Sequence, residues 1–244
     1  KTYPYTILIT EDDDEVRCFL ERELSLHFKI RTAANGKEAL RVLEEEEISL
    51  VVSDVMMPEM NGFELCRTIK SQLPFSHIPV ILLTALTDER QRIFGITGGA
   101  DDYIQKPFHT DYVKIKIIHL LQERQKLRER LLEKLRDNKL LLSEPEKVES
   151  IDDTFLRKFA EQIEAVYADP EYNVEKLSET LGLSRGHLHR KIKELTGTAP
   201  VEFLRTYRLN KATQLLRQNA YTVSEVAYRT GFSSPAYFSK CFKA

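Results

Sequence analysis

Glu11-Asp12, Asp54, Thr84 and Lys106 each stand at the end of a short apolar or β-branched run. If those runs are parallel strands, the residues share one edge of a sheet, the edge where open α/β sheets bind ligands. Three carboxylates meeting there would repel one another unless a hard divalent cation sat among them, and Mg²⁺ suits an all-oxygen set that keeps some waters. With the metal and Lys106 drawing charge from a phosphoryl group, the Asp54 carboxylate could attack it in line and form an acyl phosphate. Taken singly, the residues read more plainly: acids at a helix start answer the helix dipole, Thr84 caps a strand end, and Lys106 is a solvated charge. Their joint placement favours the phosphoryl chemistry.

The elements that must position them follow a strand-helix alternation, the pattern of a parallel sheet covered by helices. Strands are expected at Thr6 to Thr10, Lys29 to Ala33, Leu50 to Asp54, Val80 to Thr84 and Asp102 to Ile104. Helices are expected near Glu15 to Leu26, Gly36 to Glu46, Gly62 to Gln72, Glu89 to Thr97 and from Asp111 onward. Ile7-Leu8-Ile9, Leu50-Val51-Val52 and Val80-Ile81-Leu82-Leu83 are solidly apolar, as central strands buried on both faces require. This is the doubly wound five-stranded parallel sheet of an α/β domain. Gly98-Gly99 precedes a strand instead of opening a helix, so it reads as a turn and not as a phosphate loop.

From Asp111 a helical pattern runs without Gly or Pro to Pro145. Leu127, Leu131 and Leu135 share a face that Arg124 and Lys134 interrupt, which leaves both a dimerising coiled coil and a solvated connecting helix open. Beyond it the chain is all helical in pattern and repeats itself. Val174, Leu177, Ser178, Gly182 and Ser184 recur as Val223, Val226, Ala227, Gly231 and, after one inserted residue, Ser234. Each copy has a small residue where two helices cross, a turn glycine four residues on, and a serine that caps a second helix. Between the copies Val201 to Gln218 reads as one helix with Leu204, Leu209, Ala212, Leu215 and Leu216 inward, about 27 Å long at 1.5 Å per residue. Two reading helices so joined could enter major-groove segments about 34 Å apart on one face of double-stranded DNA. The outer face of the first offers Arg185, Gly186, His189 and Arg190, and that of the second Pro235, Ala236, Ser239 and Lys240. Arginine can read guanine bidentately, so the first helix should carry more of the base specificity. Ser184 and Ser234 are expected to cap their helices and touch phosphate.

Charge and composition narrow the classes. Residues 1 to 120 hold 14 basic and 20 acidic side chains, and residues 151 to 244 hold 14 and 11. An acidic half suits a cation-dependent site, and a mildly basic half suits nucleic acid. With 244 residues, two domains are expected. No apolar run approaches the roughly 18 residues needed to cross a bilayer, so membrane contact is not expected of this segment. Cys18, Cys66 and Cys241 lie far apart without a C-x-x-C spacing, which excludes a disulfide framework and fits a cytoplasmic location. His187 and His189 are too few for a metal site, His187 is expected to pack beside the core, and His27, His77, His109 and His119 have no kinase-type context. The side chains of Met56, Met57 and Met60 read as packing.

Taken together, T10-E11-D12, D54-V-M-M-P-E-M-N-G62, T84-A85 and D102-Y103-I-Q-K106-P107-F108 resemble response-regulator receiver domains across residues 5 to 122. The resemblance implies a flavodoxin-like fold in which Asp54 accepts phosphate from a histidine kinase. It also implies that Glu11, Asp12, Asp54 and the backbone carbonyl of Met56 hold Mg²⁺. Thr84 and Lys106 would bind the phosphoryl oxygens, Tyr103 would be the switch aromatic, and Lys106-Pro107 would be a cis bond. The second half, most specifically G231-F232-S-S-P-A-Y-F238-S-K-C-F242, resembles the AraC-type DNA-binding domain. Its end at Ala244 falls where that family's second reading helix still has a turn or more to run, so a C-terminally truncated domain is expected.

The boundaries so expected are a receiver at 1–122, a helical linker and candidate dimerisation segment at 123–150, and a DNA-binding domain at 151–244. This order most resembles the C-terminal output part of hybrid two-component sensors, whose kinase region would precede Lys1 and whose parent could be an inner-membrane protein. A stand-alone regulator is the alternative. The expected function is a transcription regulator in which phosphorylation moves Thr84 and Tyr103 inward and promotes a homodimer through receiver and linker. The expected chain is no enzyme beyond its own phosphotransfer. An aspartate-nucleophile phosphatase is the competing reading, but such enzymes place a second acid two residues after the nucleophile, and here that residue is Met56.

Overall fold

Five strands, β1 (Thr6–Thr10), β2 (Lys29–Ala33), β3 (Leu50–Asp54), β4 (Val80–Thr84) and β5 (Asp102–Gln105), form one parallel sheet in the order β2-β1-β3-β4-β5. The computed structural model describes residues 2–85, 99–136 and 150–243, with side chains of 130–136 outside that set. The helix expected at Glu89 to Thr97 lies outside the described residues, as do the Leu131, Leu135 and Lys134 side chains and Gly98. The chain divides into two compact units, Lys1–Lys126 and Leu127–Ala244.

In the first unit every residue of β3 and β4 is buried, which explains why these runs are solidly apolar up to their last residues. One face packs Leu8, Val51, Val80 and Leu82 against α2 (Gly36–Glu45) and α3 (Gly62–Ser71). The other packs Ile7, Ile9, Val52, Ile81 and Leu83 against α1 (Asp14–Ser25) and α4 (Thr110–Arg136). Val113, Ile117 and Leu121, four residues apart, form the buried stripe of α4. The strands match their expected extents except β5, which runs one residue further, to Gln105. Strand order reverses between β1 and β3, so their carboxyl ends flank the crevice where ligands bind.

The acidic run after β1 divides its labour. Asp13 is the N-cap of α1 and accepts from the Glu15 and Val16 amides. Glu11 and Asp12 therefore stay outside the helix. Asn61 caps α3 in a capping box with Glu64. That box ends the loop leading from Asp54, and Gly62 closes it: a Cβ there would stand 2.1 Å from the Asp54 carbonyl oxygen.

The second unit takes in the end of α4 from Leu127, then α5 (Ile151–Val166), α6 (Val174–Thr180), α7 (Arg185–Thr196), α8 (Pro200–Arg217), α9 (Val223–Arg229) and α10 (Pro235–Lys243). The internal repeat appears as two helix-turn-helix units, α6-α7 and α9-α10. Ser178 and Ala227 are buried where the paired helices cross. Gly182 and Gly231 take φ of 67° and 77°, the left-handed turn that side chains resist. Helix α8 starts with a proline at its first turn and buries Phe203, Leu204 and Ala212, with Leu209, Leu215 and Leu216 partly buried. Phe203 meets Phe159 of α5 edge to face at 4.7 Å. No helix among the described residues is long and apolar enough to cross a membrane.

Candidate functional site

Because β1, β3, β4 and β5 are parallel and in register, the residues that end them converge. Glu11 and Asp54 are 2% and 5% exposed, and Thr84 is buried beside them in sequence register. Lys106, two residues past Ile104, reaches back with Nζ 2.8 Å from Asp54 Oδ1 and 2.9 Å from Glu11 Oε2. Its own amide donates to the Thr84 carbonyl at 2.7 Å, and the Lys106-Pro107 peptide is cis. Asp54 Oδ2 accepts from the Met56 amide at 3.2 Å. Met56 itself is exposed, so its side chain contributes no wall to the site.

The ligand oxygens of Glu11, Asp12 and Asp54 lie within 4.8 Å of one another. Three carboxylates so close, two of them buried, form the hard-oxygen donor set that a divalent cation such as Mg²⁺ requires. Electrostatics say the same. Burial, with Asp54 alongside, holds the Glu11 carboxyl above its ordinary value, even against the pull of Lys106. Burial works to lower the Lys106 ammonium, but its bonds to Asp54 and Glu11 prevail and it sits above its usual value. The site therefore keeps a fixed cation beside an excess of negative charge.

Tyr103 is half-buried against the α2–α3 face of the sheet, and its hydroxyl is buried with no hydrogen-bond partner among the described residues. Burial pushes the phenol up to about 12. An arginine that sequence reasoning passed over completes the acidic loop: Arg17 Nη1 donates to the Glu11 carbonyl at 2.7 Å, and Nη2 pairs with Asp14. The signal was its place one turn into α1, facing the loop from the i+3 position of Asp14.

In the second unit Ser184 caps α7 by accepting from the His187 amide at 3.2 Å, and Ser234 accepts likewise from Tyr237 at 3.2 Å. Arg185, Gly186 and His189 are exposed and Arg190 is half-buried on α7; on α10, Ala236 and Lys240 are exposed, with Pro235 and Ser239 half-buried. Arg185 Nη1 lies 3.1 Å from Glu175 of α6. An exposed pair of this kind contributes about 0–1 kcal/mol, so the guanidinium can exchange it for another anion. His187 is half-buried. Lys191, absent from the candidates, is fully buried on the inner side of α7, and Asp152 accepts from it at 2.6 Å.

Residues 7–118 match the response regulator receiver domain, and residues 177–244 match a helix-turn-helix domain. A protein named histidine kinase P4, from Formosa agariphila, is 40% identical over 238 residues, which are 98% of this chain and 17% of that protein. The transcriptional regulatory protein GltR of Pseudomonas aeruginosa is 42% identical over 121 residues, 49% of this chain and 50% of its own. A solved signal receiver domain of a signal transduction histidine kinase from Syntrophus aciditrophicus is 38% identical, covers 49% of this chain and 91% of its own, and has a TM-score of 0.47. The chain thus spans 17% of the first of these curated relatives and half of the second.

Proposed function

The chain belongs to the two-component response regulators that join a receiver domain to an AraC-type helix-turn-helix domain, and from this we propose that it takes a phosphoryl group on Asp54 and thereby controls sequence-specific DNA binding. The observation that carries the reading is the buried Asp54 carboxylate at a strand end, with Lys106 Nζ at 2.8 Å and the Glu11 and Asp12 oxygens within 4.8 Å.

In this reading Asp54 is the nucleophile: one carboxylate oxygen forms the O–P bond as the bond from phosphorus to the donor imidazole nitrogen breaks and the electron pair leaves with the imidazole. The Met56 amide and Lys106 hold one Asp54 oxygen each, which fixes the carboxylate plane before the donor arrives. Glu11, Asp12, Asp54 and the Met56 carbonyl would hold Mg²⁺. When bound, the ion offsets the charge of the carboxylates and of the phosphoryl oxygens. Once Asp54 is phosphorylated, Lys106 can follow the charge onto a phosphoryl oxygen, and Thr84 would donate to another. Phosphorylation replaces the −1 of the carboxylate by about −1.5 to −2 on the acyl phosphate, an added charge of about −0.5 to −1 at a buried point. The Tyr103 hydroxyl, unpartnered among the described residues, supports its role as the aromatic that shifts when Thr84 moves.

The second unit would bind double-stranded DNA through α7 and α10, with Arg185, Gly186, His189 and Arg190 in one groove segment and Ala236, Ser239 and Lys240 in the next. Ser184 and Ser234 would touch phosphate. The domain boundaries proposed are 1–122, 123–150 and 151–244, with homodimer pairing through receiver and linker. The resemblance to a named histidine kinase over nearly the whole chain favours the output end of a hybrid sensor over a stand-alone regulator, with the phosphodonor in the same parent protein and this part in the cytoplasm.

The test is intact mass after treatment with acetyl phosphate and Mg²⁺. Wild type should gain one phosphoryl group and Asp54→Asn none. Equal uptake by both would sink the site assignment, and no uptake by either would sink the mechanism.

A further inference from the structure

Lys191 is the one lysine of the second unit's described residues with no exposed surface, although it sits on α7, whose opposite side carries exposed Gly186 and His189. An ammonium at that depth is costly unless it is paired. Here Nζ donates to Asp152 Oδ1 at 2.6 Å and stands 5.1 Å from the centre of the Phe155 ring. Both partners belong to the first two turns of α5. That helix start is itself fixed, since Ser150 Oγ accepts from the Asp153 amide and Asp153 Oδ2 accepts from the Ser150 amide, each at 3.1 Å. On either side of Lys191, Leu188 and Ile192 are fully buried.

The second copy of the motif shows that packing alone does not need this charge. Counting from the capping serines, Ser184 and Ser234, the counterpart of Lys191 is Cys241, which packs against the apolar cluster of Phe232 and Phe238. Apolar contacts tolerate sliding, whereas a short hydrogen bond from a buried ammonium to a half-buried carboxylate fixes direction. A buried ionic group is weak evidence for stability, and the best-attested use of one is to fix register.

We propose that the Lys191–Asp152 pair is a positioning joint that sets the roll of α7 on α5, so that Arg185, His189 and Arg190 meet the base edges in register. The inference rests on the reading of the second unit as DNA-binding.

The test uses the full chain and duplexes that wild type selects from a random-sequence pool, with affinity then measured for each base-pair change in the selected site. The loss profiles of Arg190→Ala and Lys240→Ala mark which base pairs belong to α7 and which to α10. Lys191→Met with Asp152→Leu replaces the pair by apolar contacts of similar bulk, a change that buried pairs commonly tolerate. Asp152→Asn, which keeps an acceptor but removes the charge, serves as the second variant. The expected result is a loss of about fivefold or more in discrimination at the α7 base pairs, with discrimination at the α10 base pairs and the melting temperature of the double variant retained. An unchanged profile in either folded variant would make the pair a packing contact and overturn the proposal. A uniform loss over both sets of base pairs, in step with a lowered melting temperature, would overturn it too. Failure of wild type to select any duplex would overturn the DNA-binding reading and the joint with it.

Discussion

Asp12 is the residue at which metal binding and structure separate. It is exposed and makes no salt bridge among the described residues, whereas Glu11 and Asp54 are buried and tied to Lys106. Asp12→Asn should therefore leave the melting temperature in EDTA unchanged but remove the stabilisation that Mg²⁺ gives wild type. That gain should be about 1.4 kcal/mol at ten times the dissociation constant, a shift of a few degrees read by differential scanning fluorimetry. A Mg²⁺ shift of equal size in both proteins would refute the ligand assignment. Cys66 carries a second test at this scale. Burial pushes its thiol up to about 11 from an ordinary 9.0. The folded state therefore keeps its proton while the unfolded chain loses it, so stability is full below pH 9 and falls as pH rises toward 11. Urea midpoints should drop across that window, and the drop should be shallower in Cys66→Ala, whatever that variant loses in packing. The polar site was legible because each of its residues ends a strand, and strand ends can be read from apolar runs. Lys191 was not, because an exposed and a buried lysine look alike until the partner on another helix is known.

Helices and turns show where periodicity suffices and where it does not. The apolar runs of β3 and β4 predicted their strands to the residue, because burial on both faces leaves a continuous apolar run in the sequence. The repeat in the second unit was likewise visible, yet its two turn glycines are not equivalent. A Cβ on Gly182 would meet nothing within 4 Å, whereas one on Gly231 would stand 2.1 Å from the Tyr167 carbonyl oxygen and 2.9 Å from Arg208 Nε. Arg208 is half-buried there, donating to the Tyr167 carbonyl at 2.8 Å and the Asp169 carbonyl at 2.6 Å. It ties α8 to the end of α5 at the point where the second turn approaches. No local pattern announces this, since the three segments are distant in sequence. Gly182→Ala should cost about 1 kcal/mol, the strain of a left-handed residue. Gly231→Ala should cost about twice that or more, because backbone must move as well. Equal melting temperatures for the two variants would show that the contact at Gly231 yields freely.

For the chain as a whole, the question is how a negative charge added to the acidic half could strengthen a grip on DNA by the other half. Residues 1–120 already hold six more acids than bases, and residues 151–244 only three more bases than acids. Phosphorylation at Asp54 replaces the carboxylate's own −1 by about −1.5 to −2, which makes the first count worse by about −0.5 to −1, so simple electrostatics works against tighter binding. Any gain must come from geometry, and the two candidates differ in a measurable slope. If phosphorylation pairs two chains, twice as many second units contact the duplex, and the slope of log affinity against log salt, about −0.9 per phosphate neutralised, should nearly double. The gain should also depend on protein concentration. If phosphorylation instead releases a blocked second unit within one chain, the slope should stay unchanged and the gain should be independent of concentration. Fluorescence anisotropy on a selected duplex from about 50 to 200 mM salt, with and without acetyl phosphate, separates them. Pairing is the expected outcome, because coupling between sites within one chain typically supplies about 1–3 kcal/mol, whereas two DNA-binding units that share one site can gain about 10²–10⁴ in avidity without any new contact. An unchanged slope would remove the dimer from the mechanism and leave the linker as the only route between Asp54 and the reading helices.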